Sequence, residues 1–162
     1  MPGDAELRPG SWSPTTRRQR ERIRLAVEGD RFVVDPVAGK PVAVPLDRVA
    51  RIMAVEHTMA TTSTPHRVMS VLVLDSAGHR LVTVPWAHSL FKPAEIRDFC
   101  RRAGISYGAE RQPDEGAVRR KWPEADGHRK VRTMAGGRTM ALIVVGLLLG
   151  VIAIGLIVSL LR

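Results

Sequence analysis

A single uncharged run constrains this chain more than any other feature. From Met140 to Leu161 there are 22 consecutive residues without a charged side chain, whereas charges recur every few positions in the rest of the 162 residues. As a helix at about 1.5 Å per residue, the run spans about 33 Å, enough for a bilayer core of about 30 Å. A buried helix of the same composition would need a large surrounding domain, which a chain of this length does not supply. The run therefore predicts a single transmembrane helix over residues 139–162.

The position of this segment predicts a tail-anchored protein of the cell membrane. Only Arg162 follows the segment, and the N-terminus has no apolar signal core. Lys and Arg residues lie mostly on the N-terminal side, so the positive-inside rule places that side in the cytoplasm and the C-terminus outside. The lipid bilayer is the first expected partner. The basic residues expected to contact its surface are Arg119, Arg120, Lys121, Arg129, Lys130, Arg132 and Arg138. The alternative is that this cluster only fixes the topology.

Small residues on one face of the predicted membrane helix suggest a helix–helix interface. Gly146 and Gly150 form a GxxxG pair, and Ala153 follows three positions later. Residues at this spacing let two helix backbones approach closely. They predict a homodimer through the membrane helix, although Gly is frequent in membrane helices without any such role.

Charge and composition divide the rest of the chain into three parts. Residues 1–22 form an Arg-rich arm with several prolines, and residues 108–138 form a second basic stretch before the membrane segment. Both have few large apolar residues and are predicted to be a disordered arm and a juxtamembrane linker. Residues 23–107 are nearly balanced in charge and rich in Val, Leu and Ile, as expected for a folded domain.

Within residues 23–107, apolar runs alternate with turn signals, which predicts an antiparallel sheet. Near the end of this block the apolar period changes to that of a helix over Pro93 to Ala103, with Gly104 at the expected C-cap. Strands followed by one helix predict an α+β fold in which the helix caps the sheet.

This order of elements resembles the pleckstrin-homology-like (PH-like) fold, an antiparallel sheet or open barrel closed by one C-terminal helix. The resemblance rests on a first hairpin at Glu28-Gly29-Asp30, the segment Val44 to Val49, the hairpin Leu74 to Gly78 and the closing helix. It is closest to the small PH-like domains of bacterial membrane proteins. Its lipid-binding members carry Lys and Arg around the first hairpin, whereas this hairpin is acidic. The resemblance therefore implies a scaffold for peptide or protein binding and not a phosphoinositide site.

Residues that could support catalysis or metal binding are scattered. Cys100, the only cysteine, falls on the apolar stripe of the predicted helix, and no two of the five histidines have a metal-ligand spacing. Phosphate-binding glycine loops are missing from the sequence, and the few aromatic residues argue against nucleic acid as a partner. The sequence predicts a non-enzymatic protein without a cofactor or a metal ion.

The predicted function is a single-pass membrane protein that presents a cytoplasmic PH-like domain at the membrane surface. That domain would bind a membrane or cytoplasmic protein, a peptide or the surface itself, and tethering would make weak affinity sufficient. The alternative function is a small structural subunit of a membrane complex, assembled through Gly146 and Gly150.

Overall fold

The computed structural model describes residues 5–13, 16–36, 40–60 and 65–131. The first sheet is antiparallel and has four strands in the order β1 (Ala5–Leu7), β2 (Arg24–Glu28), β3 (Arg31–Asp35) and β4 (Val42–Pro45). Between β1 and β2 lies the short helix α1 (Arg17–Arg22), and Thr16 caps its N-terminus. Part of the predicted N-terminal arm is therefore a strand and a helix.

The second sheet has five strands, and its centre is a long antiparallel hairpin. The hairpin consists of β5 (Arg51–Ala60) and β6 (Pro65–Leu74), and β7 (Arg80–Val84) continues it on one side. The two edge strands, β8 (Ser106–Asp114) and β9 (Glu124–Lys130), pair in parallel with β5 and β7 respectively. β8 and β9 are opposite edges of this sheet, and the helix α3 (Glu115–Lys121) carries the chain from one edge to the other.

One main core fills the space between the two sheets and the helix α2 (Pro93–Ala103). Phe32 of β3 and Phe99 of α2 are fully buried and meet edge to face, with ring centroids 6.2 Å apart. A second, smaller core lies on the other face of the second sheet, beneath α3. We call this the α3 face. Its members are Met53, Val55, Leu72, Leu74, Val118 and Trp122.

The helix α2 has the bounds that the sequence predicts. Pro93 occupies its first turn, and its buried residues Ile96, Phe99, Cys100 and Ala103 form the predicted apolar stripe. Gly104 ends the helix with φ +68°, and the following amide donates to the carbonyl of Cys100. Glycine adopts the left-handed conformation without a steric penalty. The residue at which the helix ends can therefore be predicted from the local sequence.

The predicted fold class is wrong in the number and arrangement of its elements. In place of one antiparallel sheet with a single capping helix, the structure has two sheets with two parallel pairings and three α-helices. The difference arises mainly from residues 106–130, where the sequence predicts a basic linker and the structure has β8, α3 and β9. Their apolar content is small because two of them are edge strands, which need only pair with a neighbour.

The predicted fold class also includes a transmembrane helix, and none is found among the described residues. No helix in the described ranges is long and apolar enough to cross a membrane. This finding corrects the prediction of a single-pass, tail-anchored architecture. The predicted span 139–162 lies outside the described residues, as do Gly146, Gly150 and Ala153 of the predicted helix–helix interface.

Candidate functional site

A narrow cleft opens on the α3 face, beside the N-terminal turn of α3. Its floor is formed by β5, β6 and β7, and its roof by Glu115 and Val118 of α3. It encloses about 80 Å³. A water-sized atom needs about 10–15 Å³ by this measure, so the cleft holds about five to eight such atoms. We call it the α3 cleft. Its apolar lining comes from Met59, Val68, Leu72, Pro85, Trp86 and Val118.

Most buried polar side chains of the described chain converge on this cleft. His57, Ser70, Arg80 and Thr83 are each 5–6% exposed, and all four line it. They come from three adjacent strands. His57 and Ser70 share a face because side chains alternate along β5 and β6, and an irregularity in β7 between Arg80 and Val82 puts Arg80 on the same face as Thr83. Polar groups are costly to bury unless they are bonded, so four of them around one cavity mark a site with a role beyond packing.

His57 and Ser70 form a buried pair on the floor of the cleft. Nε2 of His57 lies 3.1 Å from Oγ of Ser70, but Nδ1 has no hydrogen-bond partner among the described residues. Burial lowers the pKa of His57, and the backbone of Thr58 and the carboxylate of Glu115 oppose this effect only in part. The ring is therefore neutral at pH 7 and presents one open nitrogen.

Arg80 lies toward the opposite end of the cleft. Its backbone amide donates to the carbonyl of Pro123 at 2.7 Å, and Nη2 donates to Oε1 of Glu124 at 3.2 Å. Its Nε is buried and has no acceptor in the described part of the chain. On β6, His57 pairs with Val68 and Arg80 pairs with Leu74, which separates their backbones by roughly 20 Å along the strand direction. Both side chains line the cleft, and each has a buried nitrogen without a partner in the described residues.

Ion pairs of Glu115 lie beside the cleft. Glu115 lies 2.8 Å from Arg119 and 3.7 Å from Lys130, and these cations lower its pKa, with the hydrogen bond from Arg119 as the largest cause. Next to them Nε2 of His128 lies 2.9 Å from Oγ1 of Thr83, and burial lowers the pKa of His128. The carboxylate of Glu115 is already neutralised by its own neighbours.

Trp86 borders the cleft in an unusual backbone conformation. It is the one residue other than glycine with a positive φ in the described ranges, at φ 55° and ψ 29°. A bulky side chain in this region carries strain, which is found mainly where the surrounding structure fixes a residue for a purpose. Its indole packs beside the ring of His88, with centroids 5.8 Å apart. The surrounding structure therefore holds an aromatic side chain, in a strained backbone conformation, at the border of the cavity.

The arrangement favours hydrogen bonding to an acceptor over metal coordination. No group of three or more His, Cys, Asp or Glu side chains within the described ranges could hold a metal ion. Arg80 and His57 both line the cleft among apolar side chains, and each has a buried side-chain nitrogen without a partner in the described chain. Such a site suits a small, largely apolar ligand with at least one hydrogen-bond acceptor.

The residues predicted to contact a membrane surface have varied positions. Arg119 and Lys121 form ion pairs with Glu115 and Glu110, and Lys130 lines the α3 cleft. Arg120 and Arg129 are exposed, while Arg132 and Arg138 lie outside the described residues. Membrane contact by these side chains stays a prediction.

The residues that form the cleft are not among those predicted from the sequence. A signal for them exists, because Ser70 and Thr83 each interrupt a buried apolar run, Val68 to Leu74 in β6 and Leu81 to Val84 in β7. Arg80 and His57 carry a weaker signal, since a polar residue near the end of a strand is usually exposed. Only the pairing of β5, β6 and β7 brings the four together. Comparison with protein-family models, curated proteins and solved structures finds no match for this chain.

Proposed function

We propose that this protein is a binding module whose α3 cleft receives a small, largely apolar group presented by a peptide or protein partner. The observation that carries the proposal is the pair of buried, unpartnered nitrogens, Nδ1 of His57 and Nε of Arg80, in one apolar-lined cavity. Each unpaired buried polar group costs about 1–3 kcal/mol. A bound group that supplies an acceptor would recover part of this cost.

The size of the cleft supports binding of a side chain or a chain end and not of a long segment. Five to eight atoms correspond to one large side chain, whereas an extended peptide of several residues would need a wider groove. The strained Trp86 at the border adds a rigid aromatic surface, of the kind that contributes strongly to binding.

The experiment is a selection of peptides from a phage-displayed random library on the immobilised full chain. Met59 lies at the end of the cleft and is partly exposed. The change Met59→Trp should block the cavity and abolish binding of the selected peptides. The matched control is Arg67→Trp, which places the same ring on an exposed neighbouring position of β6 that faces away from the cleft. Peptides that bind both variants equally would show that the cleft is not the site.

A second candidate function rests on the His57–Ser70 pair. A distance of 3.1 Å between an imidazole nitrogen and a hydroxyl is that of a nucleophile and its base. Two features disfavour catalysis: Ser70 is buried in the middle of a strand, and no carboxylate in the described chain bonds Nδ1 of His57 to orient the ring. Labelling of Ser70 by a fluorophosphonate, located by mass spectrometry, would favour the catalytic alternative.

A further inference from the structure

The α3 cleft carries an uncompensated positive charge. The charged side chains that line it are the cations Arg80 and Lys130 and the carboxylate Glu115. Two cations against one carboxylate leave one positive charge among the lining residues. The two histidines add none near neutral pH, because burial lowers the pKa of both His57 and His128.

The position of Arg80 decides where this charge acts. Its side chain is 7% exposed, whereas its partner Glu124 is 57% exposed. Glu124 is therefore largely hydrated and screens the buried guanidinium only in part. Because arginine keeps its proton in proteins, the Nε–H remains a charged donor without an acceptor. Of its five N–H groups, one on Nη2 bonds to Glu124, and Nε is the solvent-shielded nitrogen without an acceptor in the described residues.

The rest of the cavity selects an aliphatic chain. Beyond the polar groups, the walls are the aliphatic or thioether side chains of Met59, Val68, Leu72, Pro85 and Val118, together with the indole of Trp86 at the border. These can pack against methylene groups but offer nothing to a second charge. A capacity of about five to eight atoms matches a carboxylate with a short aliphatic chain.

From these observations we infer that the ligand of the α3 cleft is an aliphatic monocarboxylate whose charged oxygen accepts the hydrogen bond from Nε of Arg80. The inference rests on the proposed function and specifies the chemistry of the group that is bound. A single negative charge neutralises the excess positive charge, whereas a phosphate dianion would leave a negative charge in an apolar cavity. The carboxylate can come from a free short-chain acid or from the C-terminus of a partner that ends in an aliphatic residue.

The test compares hexanoate with its uncharged isostere hexanamide by isothermal titration calorimetry on the full chain. We expect hexanoate to bind at least tenfold more tightly, and Arg80→Met to remove this preference. The control Arg67→Met removes an exposed arginine on the opposite face of the same sheet and should keep the preference. Equal binding of hexanoate and hexanamide, or an unchanged preference in Arg80→Met, would overturn the inference.

Two peptides that differ only at their C-terminus identify the source of the carboxylate. A peptide that ends in leucine with a free carboxylate should bind more tightly than its amidated form if the natural ligand is a chain end. Binding of hexanoate without any discrimination between the peptides assigns the site to a free acid. Both results support the monocarboxylate.

A measurement on the unaltered protein keeps the test independent of variants that fail to fold. The Nε–H resonance of Arg80 should shift when hexanoate is added to the ¹⁵N-labelled full chain, and a resonance that stays in place would overturn the inference. If library peptides bind and Met59→Trp blocks them while hexanoate does not bind, the carboxylate is excluded and the proposed function stands. If neither peptides nor hexanoate bind, both proposals fail.

Discussion

Oγ of Ser70 lies 3.1 Å from Nε2 of His57, and this contact joins the two central strands of the second sheet on the α3 face. Both side chains are buried, at 5% exposure each. The pair is diagonal, because Ser70 is directly opposite Val55 and His57 is directly opposite Val68. The imidazole consequently leans along the strand into the α3 cleft, where its second nitrogen stays open.

Ser70→Ala should lower the free energy of unfolding by about 1–3 kcal/mol, because it leaves a second nitrogen of a buried imidazole without a partner. Urea unfolding of the full chain, followed by circular dichroism, measures the change. Ser106→Ala, at the exposed first position of β8, is the control and should stay within about 0.5 kcal/mol of the wild type. Equal stability of the two variants would mean that the His57–Ser70 bond contributes nothing.

Acidification from pH 7.5 to pH 5.5 should destabilise the fold through His57, His128 and His88. Burial lowers the pKa of all three rings in the folded state, so the unfolded chain binds protons first as the pH falls through about 6.5. Stability is therefore full above the unfolded pKa and declines toward the lowered folded values. Urea midpoints at the two pH values measure the effect.

The double variant His57→Gln, His128→Gln serves as the internal control for this pH dependence. Glutamine keeps a hydrogen-bonding amide but cannot be protonated in this range. Its urea midpoint should fall less between pH 7.5 and pH 5.5 than that of the wild type. A pH dependence as steep as in the wild type would assign the titration to other groups.

Local signals in the sequence were sufficient for the elements that end at a glycine or a proline. The helix Pro93–Ala103 has the predicted bounds, because its caps are set by neighbouring residues. The strands Arg31–Asp35 and Arg80–Val84 likewise end directly before a proline. The sequence also contains a signal for α3, within the stretch that is predicted to be a linker. Asp114 caps this helix through the amide of Ala117, and Val118 and Trp122 are spaced four apart on its buried side.

The parallel edge strands and the cleft could not be derived in the same way. The sequence of β8, Ser-Tyr-Gly-Ala-Glu-Arg-Gln-Pro-Asp, has almost no apolar alternation, and its strand conformation depends on pairing with β5. Likewise, Arg80 and His57 are distant in sequence and line one cavity only because β6 lies between them. Tertiary pairing decides both features, and periodicity within a segment carries no information about it.

Cys100 should be unreactive toward iodoacetamide in the folded protein. The thiol is fully buried on α2, and burial raises its pKa to about 12, so the reactive thiolate is scarce at pH 8. Because the chain has one cysteine, whole-protein mass spectrometry detects this site alone. The same reagent in 6 M guanidinium chloride should label the chain completely. Rapid labelling without denaturant would mean that α2 opens readily or that the thiol is exposed.

Gly104→Ala should destabilise the protein by about 1–2 kcal/mol, and the cause should be backbone conformation alone. Gly104 has φ +68°, but a Cβ added there would meet no atom within 4 Å, so a steric clash with other residues is excluded. Asparagine adopts the left-handed conformation more readily than alanine, and Gly104→Asn should therefore lose clearly less stability. Thermal and urea unfolding of the three proteins measure the order glycine, asparagine, alanine. If alanine and asparagine are equally destabilising, the loss comes from something other than the left-handed cap, and the account of how α2 ends is incorrect.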